Sequence, residues 1–207
     1  VNADARLRLA LGLALALALP AGAAAAPLQA ATALARSVRS TGRAEVTLRY
    51  LMPVFTGGER AVSAVLALEP PDRARIDVPA TGEKIVARAD GGEWLQPSAR
   101  QLLRFKPSQG AAALRWWRAL LDPGRGASER RAPDGHWVLT LRDEQGAAID
   151  SADVWLDARG YPARLRSPAG TDDASTYRLS GWRFTRARGE AAFHLSAPPG
   201  VESVEMP

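Results

Sequence analysis

The sequence predicts a mainly β fold with few helices (α+β), an open, incomplete antiparallel barrel of about ten strands with helices plugging its concave face. Period-two alternation of apolar and polar residues recurs along most of the chain after residue 42. The alternating runs are joined by short turn signals rich in Gly, Pro and Asp, which favour antiparallel neighbours. Only two stretches outside the N-terminal segment carry helical spacing. A sheet of that many strands must curl, and two helices suffice to cover one face of the curl.

The first element is a targeting segment. Arg6 and Arg8 precede an unbroken apolar run from Leu9 to Leu19, Pro20 breaks it, and Ala21-Gly22-Ala23 and Ala23-Ala24-Ala25 offer small-residue cleavage sites. A basic head, an apolar core and an A-x-A site form the layout of a secretory signal peptide, placed at residues 1–25. The run is short and interrupted for a spanning helix, and no basic stop-transfer flank follows it. Residues 26–207 then form one domain; about 180 residues hold one real core and not two. The chain has no cysteine, so the core carries stability without disulfides and no lipid can be attached at a cleavage-site cysteine.

Residues 28–39 place Leu28, Ala31, Leu34, Ala35 and Val38 on one helical face, with Gly42 where a C-cap belongs. The period then changes to two. Val46, Leu48 and Tyr50 alternate with Glu45, Thr47 and Arg49, and Val62, Ala64, Leu66 and Leu68 form the next apolar face. Ala74, Ile76 and Val78 alternate with Arg73, Arg75 and Asp77. Residues 83–89 are a strand that turns at Asp90-Gly91-Gly92 into Trp94-Leu95, and residues 101–105 are a short one. A second helix spans 109–121, with Leu114, Trp117, Leu120 and Leu121 on one face; Asp122-Pro123-Gly124 stops it. A polar loop to Gly135 leads to strands at 137–141, 153–157, 161–166, 175–184 and 190–195, then a short tail.

Charge and motifs exclude several functions. The net charge of +5 is almost all arginine, scattered among acids, and Arg130-Arg131 is the only adjacent pair. No nucleic-acid arm is present. His136 and His194 have no neighbour at metal-ligand spacing, so no metal and no cofactor is expected, and both read as structural or solvated. Asp172-Asp173 and Asp143-Glu144 fall in turns, where paired carboxylates are hydrophilic turn chemistry. No phosphate loop, nucleophile elbow or zinc motif occurs, so no catalytic residue is assigned.

Several motifs then fall in order. Glu69-Pro70-Pro71 leads into Arg73-Ala74-Arg75-Ile76-Asp77, and Asp90-Gly91-Gly92 is followed by Glu93-Trp94-Leu95. Asp157, Gly160, Pro162 and Leu165 stand at the spacing D-x-x-G-x-P-x-x-L. Tyr177-Arg178-Leu179 and Phe193-His194-Leu195 with Pro198-Pro199-Gly200-Val201 close the set. Together they resemble the LolA family, periplasmic carriers of outer-membrane lipoproteins, over essentially all of residues 26–207. The resemblance implies a soluble, monomeric periplasmic protein that holds acyl chains of lipoproteins or other lipids without covalent chemistry. It further implies a release machinery in the inner membrane and an acceptor at the outer membrane as partners. Two positions depart from the family pattern. Glu69 stands where those carriers have an arginine tying the sheet to the helical lid, with Arg73 and Arg75 nearby as substitutes, and residues 45–50 replace the usual aromatic and Gln cluster.

The apolar residues Val46, Leu48, Tyr50, Leu66, Ile76, Val78, Leu139, Leu141, Val154 and Leu156, with Trp117 and Leu120 from the helix, have two readings: lining of a lipid cavity or ordinary core. Glu69, Arg73, Arg75 and Trp116 are the candidates for a lid latch or cavity mouth. Trp116, between Arg115 and Arg118, also suits a membrane interface or a partner. A binding or sensor module on the same scaffold, recognising a protein and transporting nothing, is the alternative function. An enzyme would need convergent polar groups in the cavity.

Overall fold

The computed structural model describes residues 28–53, 58–121, 127–143, 145–171 and 174–206. The predicted signal segment, the helix stop at Asp122-Pro123-Gly124, Glu144 and the pair Asp172-Asp173 lie outside them.

Among the described residues, twelve strands form one sheet: β1 (Gly42–Pro53), β2 (Glu59–Glu69), β3 (Arg73–Val78), β4 (Glu83–Arg88), β5 (Gly91–Gln96), β6 (Gln101–Phe105), β7 (Ala127–Arg131), β8 (Trp137–Arg142), β9 (Ala148–Leu156), β10 (Pro162–Ser167), β11 (Ser175–Arg186) and β12 (Glu202–Glu205). Their order is β12-β6-β5-β4-β3-β2-β1-β11-β10-β9-β8-β7. Two meanders are therefore joined through the long strands β1 and β11, and the sheet stays open between β7 and β12. The expected open half-barrel is what the chain forms.

Curvature has local causes. Between Glu45 and Thr47 the β1 register on β11 slips by one residue, from Arg183 to Ser180. The extra residue lies on β11, where Gly181 takes φ +69°, a backbone state that costs a side-chain-bearing residue and suits a bulge. A second slip lies between Pro162 and Arg164, where the proline has no N–H for the ladder.

Both helices sit on the concave face. α1 (Thr32–Thr41), preceded by the 3₁₀ turn Gln29–Ala31, packs on β1 and β11; α2 (Pro107–Leu121) packs on β3, β4 and β5 and touches α1. Gly42 ends α1 at φ +94°, its N–H donating to the Val38 carbonyl, as the C-cap reading requires. Leu34 and Val38 of α1 and Leu114 and Leu120 of α2 meet Val46, Leu66, Leu68, Leu139 and Val154 in one buried cluster. Gly110 lets α2 approach the sheet: a Cβ there would lie 2.4 Å from the Gly91 carbonyl oxygen and 2.6 Å from that of Arg88.

Three segments correct the sequence reading. β7 replaces part of the predicted polar loop. It is the outermost strand, where polar residues are tolerated, and the Glu129 carboxylate accepts from the N–H groups of Gln29 (2.7 Å) and Ala30 (3.1 Å). The supposed tail supplies β12, which pairs in parallel with β6 and makes the sheet mixed. Residues 190–195 form no strand; Glu190–Phe193 is a 3₁₀ turn. Its backbone is held by side chains on the convex face instead of a ladder. Arg75 donates to the Ala192 carbonyl (2.8 Å) and Arg88 to that of Phe193, while the Leu195 N–H donates to Glu93 (2.7 Å). Phe193 is fully buried beneath this C-terminal strap, with the guanidinium groups of Arg43 and Arg73 each 5.8 Å from its ring centre.

Candidate functional site

An apolar cleft opens where α2 leaves the concave face uncovered. Leu48 comes from β1, Ile76 from β3, Ala152 from β9, Leu165 and Ser167 from β10, and Ser175 and Tyr177 from β11. Trp116 and Trp117 of α2 form the opposite wall, enclosing about 310 Å³, within the range of small-ligand sites. Alternation in β1 turns Leu48 and Tyr50 to this face and Arg49 and Leu51 to the other. The register Leu48↔Leu179, Tyr50↔Tyr177 and Leu165↔Tyr177 carries the same division across β1, β11 and β10.

Polar groups gather at one rim. The Trp116 indole N–H donates to Oδ2 of Asp150 on β9 at 3.0 Å, and Arg115 approaches the same oxygen at 3.7 Å. Ser167 donates to the Ser151 carbonyl at 3.0 Å. Asp150 thus bridges α2 to β9 across the edge of the cleft. On the opposite flank, Arg118 lies 3.7 Å from Asp72 in the β2–β3 turn, the second tie between α2 and the sheet. The Tyr50 and Tyr177 rings lie 5.8 Å apart. Burial pushes the Tyr50 phenol above its ordinary value of 10.0; Glu83 and Tyr177 add to the rise and Arg60 opposes it.

Of the predicted cavity residues, Leu48, Ile76, Trp116 and Trp117 are brought together here. Val46, Leu66, Val78, Leu120, Leu139, Leu141 and Val154 are buried core and do not line the cleft. The physical reason is that α1 and α2 fill the concave face over the central strands with Leu34, Val38, Leu114 and Leu120. Leu156, at the far end of β9, borders a separate recess with Trp137, Trp155 and His136. Tyr50 packs beside the cleft against Tyr177. Trp116 is half-buried in the cleft wall rather than standing clear of the surface.

Glu69, Arg73 and Arg75, the expected latch candidates, meet the C-terminal strap. All three point from the convex face, away from α2. Glu69 is fully buried and accepts from Arg43 (3.0 Å) and from the backbone N–H groups of Arg188 (2.7 Å) and Gly189 (3.3 Å), with Arg73 at 3.7 Å. These residues anchor the C-terminal strap. Asp150 and Asp72 both tie the helix to the sheet, and turn-and-strand reasoning missed them. Leu165 and Tyr177 were quoted as motif positions, and the period-two pattern of β10 and β11 would have placed both on the concave face.

The described residues hold no group of three or more His, Asp or Glu arranged for a metal ion. Among them, no helix is long and apolar enough to cross a membrane.

Neither a protein-family model nor a curated protein sequence matches the chain. Solved structures do. An uncharacterized conserved protein from Thermus thermophilus is 15% identical, with 84% of this chain and 97% of that one covered and a TM-score of 0.48. A LolA superfamily protein from Nitrosomonas europaea is 11% identical over 80% of this chain and 97% of its own, at a TM-score of 0.47. A DUF1329 family protein from Desulfovibrio piger is 10% identical over 80% and 95%, at 0.46.

Proposed function

We propose that this chain is an exported carrier that takes acyl chains of lipoproteins or other lipids into the concave-face cleft and releases them without covalent chemistry. The observation that carries this reading is the wall of Trp116 and Trp117 facing Leu48, Ile76, Leu165 and Tyr177, with Ser167 and Ser175 as short polar lining and the charged Asp150 tie beside it. Each methylene moved from water into such a lining is stabilised by about 0.8 kcal/mol, so retention strengthens with every carbon buried. The ordered motifs from Glu69-Pro70-Pro71 to Pro198-Pro199-Gly200 support the same reading, as does the signal-like segment at residues 1–25. On this reading the protein works in the periplasm as a monomer, receives cargo from an inner-membrane release machinery and passes it to an outer-membrane acceptor.

Loading requires α2 to move, because a cleft of about 310 Å³ holds only part of a long chain. The ties at Asp150 and Asp72 are few and reach partly exposed arginines, so they are weak enough to yield to a ligand.

The test is native mass spectrometry of protein purified from the periplasm without detergent, followed by displacement of a fluorescent fatty acid. The expected result is a co-purifying lipid or acylated species and saturable binding, lost in Leu48→Asp and Ile76→Asp variants that still fold. Undiminished binding in both variants, or no binding in the parent protein, overturns the reading.

A further inference from the structure

A second concavity lies on the opposite, convex face at the same end of β1 and β11. It encloses about 870 Å³ and is lined by Arg49, Ser63, Arg164, Ser175, Thr176 and Arg178 among others. The ladder register explains how these residues meet. Ser63 pairs with Arg49, Arg49 with Arg178, and Arg178 with Arg164, so one row crosses β2, β1, β11 and β10 in that order.

Three guanidinium groups therefore rise from directly opposed positions whose Cβ atoms are about 5 Å apart, an arrangement that repels. Elsewhere the protein pairs its arginines: Arg43, Arg75 and Arg88 each hold a carboxylate. Here, among the described residues, no carboxylate reaches Arg49, Arg164 or Arg178. Arg164 lies over the Trp155 ring at 4.2 Å, and its Nε is buried with no hydrogen-bond partner among the described residues. Stacking on Trp155, which is itself stacked on His136 at 4.6 Å, fixes that guanidinium at the groove edge. Glu59 is the one acid among the described lining residues, so three cations against one carboxylate leave about two positive charges unbalanced. Short side chains (Ala61, Ser63, Ala174, Ser175) leave the space above the row open.

We propose that this groove is a binding site for a phosphoryl group, held between Arg49 and Arg178 with Arg164 behind and the Ser63 and Thr176 hydroxyls as further donors. A phosphate monoester carries between about 1.5 and 2 negative charges near neutral pH, which matches the groove. Its oxygens accept paired N–H bonds from guanidinium forks. Seating such an anion relieves the repulsion within the row. The ligand is a phosphate ester, either free in solution or the headgroup of a lipid. This site does not depend on the cleft holding acyl chains.

The experiment titrates the full chain, at fixed low ionic strength, with sn-glycerol 3-phosphate by calorimetry. In parallel it is titrated with phosphatidylcholine vesicles containing phosphatidic acid, by co-sedimentation. The exposed residues Arg49 and Arg178 are changed to Gln singly and together, and Arg186→Gln, an exposed arginine at the far end of β11, is the control. The expected result is saturable binding to one probe or both, weakened roughly ten-fold or more by each of Arg49→Gln and Arg178→Gln and unchanged by Arg186→Gln, with all variants melting like the parent. Binding of the soluble ester assigns a free ligand, and binding of the vesicle alone assigns a headgroup; both uphold the site. Failure to bind either probe overturns the proposal, and so does equal weakening by Arg186→Gln, which would mark diffuse charge attraction.

Discussion

The indole of Trp116 donates its N–H to Asp150 at 3.0 Å, so a residue of the cleft wall is also one half of a tie between α2 and β9. Removing the donor while keeping an aromatic ring separates the two roles. Trp116→Phe should cost about 1 kcal/mol of stability, the worth of a net hydrogen bond, and should speed both entry and release of a fluorescent fatty acid. Stopped-flow exchange checks it. Unchanged exchange with lowered stability would show that α2 does not gate the cleft.

Glu69 carries more of the fold than its place before two prolines suggests. It is fully buried and meets Arg43, itself almost completely buried, at 3.0 Å, and two backbone N–H groups of the strap. Glu69→Ala leaves the buried Arg43 guanidinium with Glu45 (2.8 Å) as its remaining carboxylate, a loss of about 1–3 kcal/mol. It also leaves the N–H groups of Arg188 and Gly189 without their acceptor. Denaturant midpoints should fall accordingly, and limited proteolysis should cut first within residues 187–200.

The contrast between Glu69 and Leu48 marks what was legible in the sequence. Period-two alternation turned Leu48 and Ile76 to the concave face correctly, because sheet geometry sets side-chain direction every second residue. The same alternation put Arg73 and Arg75 on the opposite face, yet the strap groups they meet, the Phe193 ring and the Ala192 carbonyl, come from more than a hundred residues away. No local pattern carries that information. Nor could spacing say that Val46, Leu66 and Val154 would be sealed beneath Leu34, Val38 and Leu120 while Leu48, also buried, would border the cleft. That outcome depends on where two helices come to rest. β12, with the polar sequence Glu-Ser-Val-Glu, has no alternation to read; it is a strand only because β6 offers it an edge.

Gly110 tests the docking of α2 directly. A methyl group there would stand 2.4 and 2.6 Å from two carbonyl oxygens of the β4–β5 turn, closer than any real contact. In an open helix Gly→Ala would stabilise by the propensity difference. Here Gly110→Ala should instead destabilise by about 1–3 kcal/mol as the helix is levered off the sheet. It should also alter fatty-acid binding, since Trp116 and Trp117 ride on the same helix. Thermal melting and displacement titration read the two effects, and a stabilised protein would show that α2 sits elsewhere.

Tyr50 makes stability depend on alkaline pH. Burial, then Glu83 and Tyr177, hold its phenol above the ordinary value of 10.0 against the pull of Arg60. In the unfolded chain the phenol ionises at its ordinary value, while in the folded chain it stays protonated to higher pH. The native state therefore binds more protons than the unfolded state between the two values, so unfolding becomes easier as pH rises through that window. The stabilisation is complete below the unfolded value and is lost as pH climbs through the folded one. Tyr50→Phe removes this dependence, because phenylalanine has nothing to ionise. Urea midpoints of the parent and the variant, measured from about pH 8 to 11, should diverge on the alkaline side, with the parent falling more steeply. Parallel curves across that range would show that Tyr50 ionises as freely in the folded protein as in the unfolded chain.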